Sequence, residues 1–315
     1  DVQTIIDTKE GENVEDILLL HNLAQKFRQA RFKKGAINFS SQEVRFILDE
    51  NAKPIGITVK ESKPAHQLIE EFMLLANKTV AENISKIQIN KQPLPFPYRI
   101  HDQPDPEKLA PFVQYAKKYG HGFDASSPEK ISASFNQLLE DAKGKPEQHV
   151  LEQLGIRTMA KAVYSTQNIG HYGLAFDFYC HFTSPIRRYP DVLVHRVLQT
   201  VLDNKLVVDK KMEEKCKQSS DRERAAMECE RASNKYKQVE YMRDYIGDTF
   251  EGVVSGVSSF GFWVETVAHK CEGLVSIVGL SEFDDFRHIE SDYSLVGKRS
   301  GRSFKMGDKV FIKVI

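Results

Sequence analysis

The sequence predicts an α+β chain, with a helix-rich body over residues 1–246 followed by a small β-barrel over residues 247–315. Two observations carry that expectation. Apolar residues recur at helical spacing in one segment after another up to Tyr245, and beyond Gly247 glycine-bearing turns divide short strand-like runs such as "DTFEGVVSGVSSFGFWVETV" and "GDKVFIKVI". A length of 315 residues fits about two domains, and 41% hydrophobic residues suffice for a sizeable core. The 44 basic and 44 acidic side chains cancel, so a nucleic-acid partner must rest on local charge clusters. No apolar run reaches the roughly 18 residues of a membrane span, and nothing in the pattern requires an oligomer. Cys180, Cys216, Cys229 and Cys271 lack disulfide or zinc-ligand spacing, which suits reduced thiols in a cytoplasmic protein. The opening residues look like the interior of a longer polypeptide.

The elements follow in order. Asn13 can cap a helix whose Ile17, Leu20, Ala24 and Phe27 share a face, and Arg28, Arg31, Lys33 and Lys34 crowd its end. Those cations either complement the helix dipole or meet RNA. Gly35 stops the helix. Val44, Phe46 and Leu48 alternate, as do Ile55, Ile57 and Val59, which predicts a hairpin with one buried face. Pro64 opens a helix with Leu68, Phe72, Leu75 and Ala76 toward a core; Glu70 and Asn77 share another face, and Glu71 reads as solvated. Helices follow near 105–119, 130–142 and 146–163, and a long charged one over 209–246.

Within "HFTSPIRRYPDVLVHR", Ser184 is a good N-cap and Pro185 suits the first helical position, so a helix should begin there and kink or restart at Pro190. Free N–H groups at such an end favour a phosphate, and Arg187 and Arg188 could add bidentate contacts. Local ion pairs are the plainer alternative. Asp191 and His195 form an i,i+4 pair. On the long charged helix, Glu230 joins a stripe of Met212, Cys216, Ser219, Ala226 and Ser233; a glutamate facing inward there needs a cation.

The string "GHYGLAFDFYCHFTSPIRRYPD" resembles the signature of the ribonuclease II / ribonuclease R family, nearer its ribonuclease R branch. The resemblance extends through "RFKKGAINF", "LIEEFMLLAN" and "ERAAMECERAS" and covers nearly the whole chain. It implies a processive exoribonuclease that degrades single-stranded RNA from its 3′ end to nucleoside 5′-monophosphates, with Mg²⁺ as cofactor. By that resemblance Arg187 contacts the scissile phosphate and Glu230 is a second catalytic residue. Phe39 stacks on a base, Glu70 touches the nucleotide through its 2′-OH, and His181, Thr183, Ser184 and Arg188 line a narrow RNA tunnel. The C-terminal segment resembles an OB-fold RNA-binding module, implying Phe260 and Phe262 as a base-stacking platform with Trp263 in the core.

The family's magnesium-binding aspartates find no match here. Asp102 with Asp105, and Asp284 with Asp285, are too sparse for a metal pair. The chain therefore reads as a C-terminal piece of the enzyme: inactive alone, holding no metal tightly, and stopping before the barrel's last strand. A non-catalytic RNA-binding protein on the same scaffold is the alternative. A helical interaction protein with an appended barrel is a third reading, one without salt-dependent RNA affinity.

Overall fold

The computed structural model describes residues 1–39, 43–60, 62–145 and 147–315. Helix α1 (Val2–Thr8) precedes α2 (Val14–Lys33). Asn13 enters α2 at φ 57° with no side-chain cap bond, so it supplies a turn and no hydrogen-bonded cap. Gly35, at φ +102°, turns the chain out of α2 in a conformation that favours glycine.

Strands β1 (Glu43–Leu48) and β2 (Pro54–Lys60) form the expected hairpin, pairing Val44 with Val59 and Phe46 with Ile57. Its apolar face is only half covered: Leu48 is 47% exposed and Ile55 61%. The hairpin leans on the end of the long helix described below, through Lys237 to the Ala52 carbonyl and Lys53 to Asp244.

Helix α3 (Pro64–Ile84) buries Leu68, Glu71, Leu74, Asn77, Ala81 and Ile84. The buried stripe is thus rotated from the predicted one, and Leu75 lies outside it. The cause is polar: Glu71 is 3% exposed because Arg31, itself 6% exposed, donates Nη2–H to it at 2.5 Å and Nε–H at 3.4 Å, with Arg28 at 3.5 Å. Glu71 is therefore a buried ion-pair partner where a solvated residue was expected. The basic end of α2 is spent on it in part.

Two short pairs follow, β3 (Gln88–Ile89) with β4 (Gln92–Pro93), and β5 (Tyr98–Ile100) with β6 (Val163–Ser165). Between β5 and β6 lie α4 (Pro106–Lys118), α5 (Pro128–Ala142) and α6 (Gln148–Thr158). Asp105 and Ser127 cap α4 and α5 by accepting from Glu107 N–H and Lys130 N–H. These three helices pack Phe112, Phe135 and Leu151 into one core. A second core joins α3 to α7 (Tyr189–Leu202) and the start of α8 (Met212–Met242) through Ile84, Phe96, Val194 and Cys216.

The C-terminal strands are β7 (Thr249–Ser258), β8 (Gly261–Thr266), β9 (Glu272–Ser276), β10 (Phe286–Ile289), β11 (Ser294–Gly297), β12 (Ser303–Lys305) and β13 (Lys309–Lys313), with the short helix α9 (Ile277–Leu280) after β9. They form an antiparallel sheet ordered β13-β7-β8-β9 and a second ordered β10-β11-β12; among the described residues no closed barrel forms. This lobe is locked to the helical body. Met306 is 2% exposed inside the α4–α6 core, Tyr293 meets Tyr115 edge-on at 5.2 Å, and Lys118 pairs with Asp292. Gly307 sits so close that an added Cβ would lie 2.8 Å from Val150.

Candidate functional site

Residues 168–188 run between α3 and α7 and carry most of the residues singled out in the signature. The carboxamide of Asn77, 3% exposed, fixes this segment to α3. Its Nδ2–H donates to Tyr179 Oη at 3.0 Å and its Oδ1 accepts from Phe182 N–H at 3.0 Å. The Cys180 thiol donates to the Asn77 carbonyl at 3.2 Å.

Asp191, fully buried, fixes the other end: its Oδ1 accepts from Ser184 N–H at 2.7 Å and from Arg188 Nη2–H at 2.8 Å. Residues 185–187 form a turn, with both Arg187 N–H and Arg188 N–H donating to the Ser184 carbonyl. Helix α7 then begins at Tyr189, with Pro190 in its first turn and Arg188 in place of Ser184 at the N-cap. The proline lacks the N–H that would continue a helix through it, so the predicted restart is the true beginning. Asp191, in that first turn, supplies the negative charge that a helix N-terminus attracts. The phosphate seat expected at Ser184 is thus occupied by the chain's own carboxylate. Asp191 is also not bonded to His195, which stacks on Phe182 at 4.2 Å and donates Nε2–H to the Phe182 carbonyl.

The structure brings three expected residues to one cavity of about 520 Å³: Glu70 at its exposed rim, and Thr183 and Arg188 in its wall, with Asn77 and Tyr179 behind. Thr183 Oγ1 and Arg188 Nε are buried without a hydrogen-bond partner, polar atoms that a ligand or water entering the cavity could satisfy. His181 lies beside this wall, 5.7 Å from the Tyr179 ring, and its Nδ1 shares a hydrogen bond with Tyr164 Oη at 2.8 Å. Burial, with Arg188 and Arg99 nearby, pushes the His181 pKa down to about 2, so the ring is neutral. A larger cavity of about 650 Å³ lies along the same segment, lined in part by Lys34, Ser132, Gly170, His171 and Tyr172.

Other expected residues stand elsewhere. Arg187 is exposed, makes no ion pair among the described residues and lines neither of these two cavities. Ser184 is half-buried at the turn. Among the described residues Glu230, exposed on α8, has no cation partner, because there the middle of that helix stands clear of other elements; the inward-facing arrangement inferred from its stripe does not hold. Phe39 packs edge-on against Phe135 at 5.7 Å, half-buried in the α4–α6 core.

In the C-terminal lobe Phe262, expected on the stacking platform, is in the core, and Trp263, expected in the core, is not fully buried. Phe262 is 2% exposed and stacks on Phe304 at 4.7 Å in that lobe's core. Trp263 is only half-buried and meets Phe260, 53% exposed, edge-on at 5.3 Å. Phe260 lies in the turn, and β8 begins at Gly261, so the period of two that paired positions 260 and 262 does not apply across them. The exposed Phe260 and the half-buried Trp263 are the pair that reaches the surface.

Asn77, Tyr179 and Asp191 were not singled out as site residues. A polar residue among the apolar positions of α3 was the available signal for Asn77, and an acidic residue in a first helical turn was the signal for Asp191.

Among the described residues no three His, Cys, Asp or Glu side chains gather to hold a metal. Asp191, behind Arg188 of the cavity wall, is committed to Ser184 and Arg188, and Glu70 makes no ion pair among the described residues. These carboxylates do not fit a magnesium pair.

Among the described residues no helix is long and apolar enough to cross a membrane. Residues 1–204 match the RNB domain family. Ribonuclease R of Aquifex aeolicus is 37% identical over 307 residues, 96% of this chain and 42% of that protein. Ribonuclease R of Thermotoga maritima is 40% identical over 320 residues, 98% of this chain and 44% of that protein. The apo form of Mycoplasma genitalium RNase R superposes with a TM-score of 0.89 at 28% identity, covering 99% of this chain and 50% of that one. The same protein with ribose-methylated single-stranded RNA gives 0.88, again at 28% identity and with 99% and 50% of the two chains covered. The chain thus spans about half the length of the solved relatives and less of the curated ones. With residues 1–204 matching that family's model and the fold shared with these proteins, the chain belongs to the RNB domain family, alongside ribonuclease R.

Proposed function

We propose that this chain supplies part of the RNA path of a processive 3′-to-5′ exoribonuclease acting on single-stranded RNA and releasing nucleoside 5′-monophosphates. The observation that carries the reading is the meeting of Glu70, Thr183 and Arg188 in one cavity beside the exposed Arg187 turn. A carboxylate and a hydroxyl suit ribose hydroxyls, and the exposed guanidinium of Arg187, next in sequence to the cavity-lining Arg188, suits a backbone phosphate. Phe260 and Trp263 offer a second, sequence-tolerant contact on the C-terminal lobe, in keeping with an OB-fold role. Phosphodiester hydrolysis in this reading uses Mg²⁺ held by carboxylates of a longer polypeptide, so no hydrolytic step is assigned to these residues alone.

The test has two arms. Fluorescence anisotropy of the 315-residue chain with a labelled single-stranded RNA should show affinity that falls steeply with salt. A chimera in which the chain replaces the matching portion of the Thermotoga maritima protein should, with Mg²⁺, shorten a 5′-labelled RNA progressively to a short stub. RNA binding without shortening in the chimera would favour a non-catalytic RNA-binding role. Internal cuts would refute the exonuclease reading, and no salt-dependent binding would refute both.

A further inference from the structure

We propose that Asn77 is a positioning residue that sets the sugar selectivity of the 520 Å³ cavity, by holding Thr183 at a fixed offset from Glu70. The inference rests on the RNA reading of that cavity and adds a residue that does not itself touch the reacting phosphate.

Glu70 and Asn77 are separated by two turns of α3, about 10.5 Å along its axis, and share one face. Glu70 therefore moves with α3. Thr183 moves with the segment that follows β6. At this point the Asn77 carboxamide couples the two bodies through its bonds to Tyr179 Oη and Phe182 N–H at 3.0 Å each, beside the Cys180 thiol on the Asn77 carbonyl at 3.2 Å. Phe182 directly precedes Thr183, so the Asn77–Phe182 bond holds the 181–182 peptide plane, and the His195 bond to the Phe182 carbonyl holds the next plane, which leads into Thr183.

The chemistry asks for asparagine. One end of the group must donate to a tyrosine oxygen while the other accepts from a backbone N–H, and the flat amide does both only in one orientation. Burial raises the cost of any slip, because each broken bond leaves an unsatisfied polar atom away from water. Burial also pushes the Tyr179 pKa up to about 12, so its hydroxyl stays protonated and can rotate from acceptor to donor. Aspartate at position 77 could therefore keep both bonds, accepting from Phe182 N–H and from Tyr179 Oη–H. Leucine, of similar shape, could keep neither. A pair of sugar-reading groups discriminates only when their spacing is held to within a fraction of an ångström. Loosening one against the other should therefore lower selectivity for ribose more than it lowers binding through phosphates.

The experiment measures the affinity of the 315-residue chain for a single-stranded RNA 12-mer and for the DNA 12-mer of the same sequence, by anisotropy, with far-UV circular dichroism as a fold check. Wild type should prefer RNA, and Glu70→Gln should remove most of that preference without shifting the melting midpoint. Asn77→Leu should lower the RNA-over-DNA ratio at least fivefold, whereas Asn77→Asp should keep it within twofold. Should Asn77→Leu fail to fold, Tyr179→Phe removes one of the two bonds and keeps the ring; its ratio should fall at least twofold. Folded Asn77→Leu, or Tyr179→Phe in its stead, with the wild-type ratio overturns the proposal while leaving the RNA reading intact. A wild-type chain that binds RNA with salt dependence but without preference for it overturns the sugar-reading cavity alone. A chain that binds no RNA overturns the functional reading itself.

Discussion

Removing the Glu71 carboxylate should unsettle the whole helical body. Both partners of the Arg31–Glu71 pair are buried, at 6% and 3% exposure, and Arg28 adds a third charge at 3.5 Å. Glu71→Ala leaves two guanidinium groups facing one another with no anion between them. Truncating one partner of such a pair costs about 3–5 kcal/mol, far above the ~0–1 kcal/mol of a surface pair. At about 2–4 °C per kcal/mol for a body of 150–250 residues, the melting midpoint should fall by about 6–20 °C. Replacing both partners together, Arg31→Met with Glu71→Leu, should recover most of the loss, because apolar side chains of that volume fill the site without leaving a buried charge. Thermal denaturation followed at 222 nm reads all three proteins, with the exposed Glu70→Ala as the control that should stay within about 1 °C. A Glu71→Ala midpoint as close to wild type as that control would refute the argument, since it would mean that the carboxylate is solvated after all.

Three further outcomes follow from the geometry. Phe262→Ala should destabilise the C-terminal lobe by about 3–5 kcal/mol with little direct effect on RNA contact, while Phe260→Ala should weaken RNA binding by about 1–3 kcal/mol and leave the fold intact; urea titration and anisotropy separate them, and the opposite pattern would restore Phe262 as the platform. Arg187→Ala should leave the melting midpoint unchanged and reduce the slope of log affinity against log salt by about 0.7, the value for one phosphate contact on a single strand; an unchanged slope would remove Arg187 from the RNA path.

Burial pushes His181 down to about 2 and His171 down to about 3, so both are neutral when folded and take up protons on unfolding below pH 6.5. The stability they contribute is complete above that value and is lost as pH falls toward their folded values, by about 1.4 kcal/mol per pH unit for each ring. His181→Phe should flatten the pH dependence between 6.5 and 5 in urea titrations, and an unaltered slope would show that the ring is solvated.

Much of the body was legible because its signals were local. Pro106 and Pro128 each open a helix behind a capping Asp105 or Ser127, and the helix predicted near 105–119 spans 106–118. The failures share a different cause. The face that α3 buries is decided by Arg31, forty residues away, and Glu70 and Glu71 are indistinguishable without it. Ser184 looks like an N-cap until Asp191, seven residues on, takes its N–H. Glu230 seemed to face inward because a stripe of small residues implies a neighbour, and the neighbour is not among the described residues. Phe262 was misassigned by one position of strand onset. In each case a tertiary partner, or the place where a strand begins, decided between faces that sequence spacing alone leaves equivalent. The cavity itself needed residues 70, 183 and 188 brought together across more than a hundred positions of chain.

The seating of Met306 has a consequence for how this chain could change over evolutionary time. Its side chain plugs a hole among α4, α5 and α6, and the bare backbone of Gly307 lets the plug enter. A foreign C-terminal module spliced on at position 247 would bring no such plug, and the helices beneath would be left with an opening they have no means to close. Exchange of whole modules at that seam should therefore be rarer than gradual divergence on either side of it. On heating, the two lobes should come apart in one event.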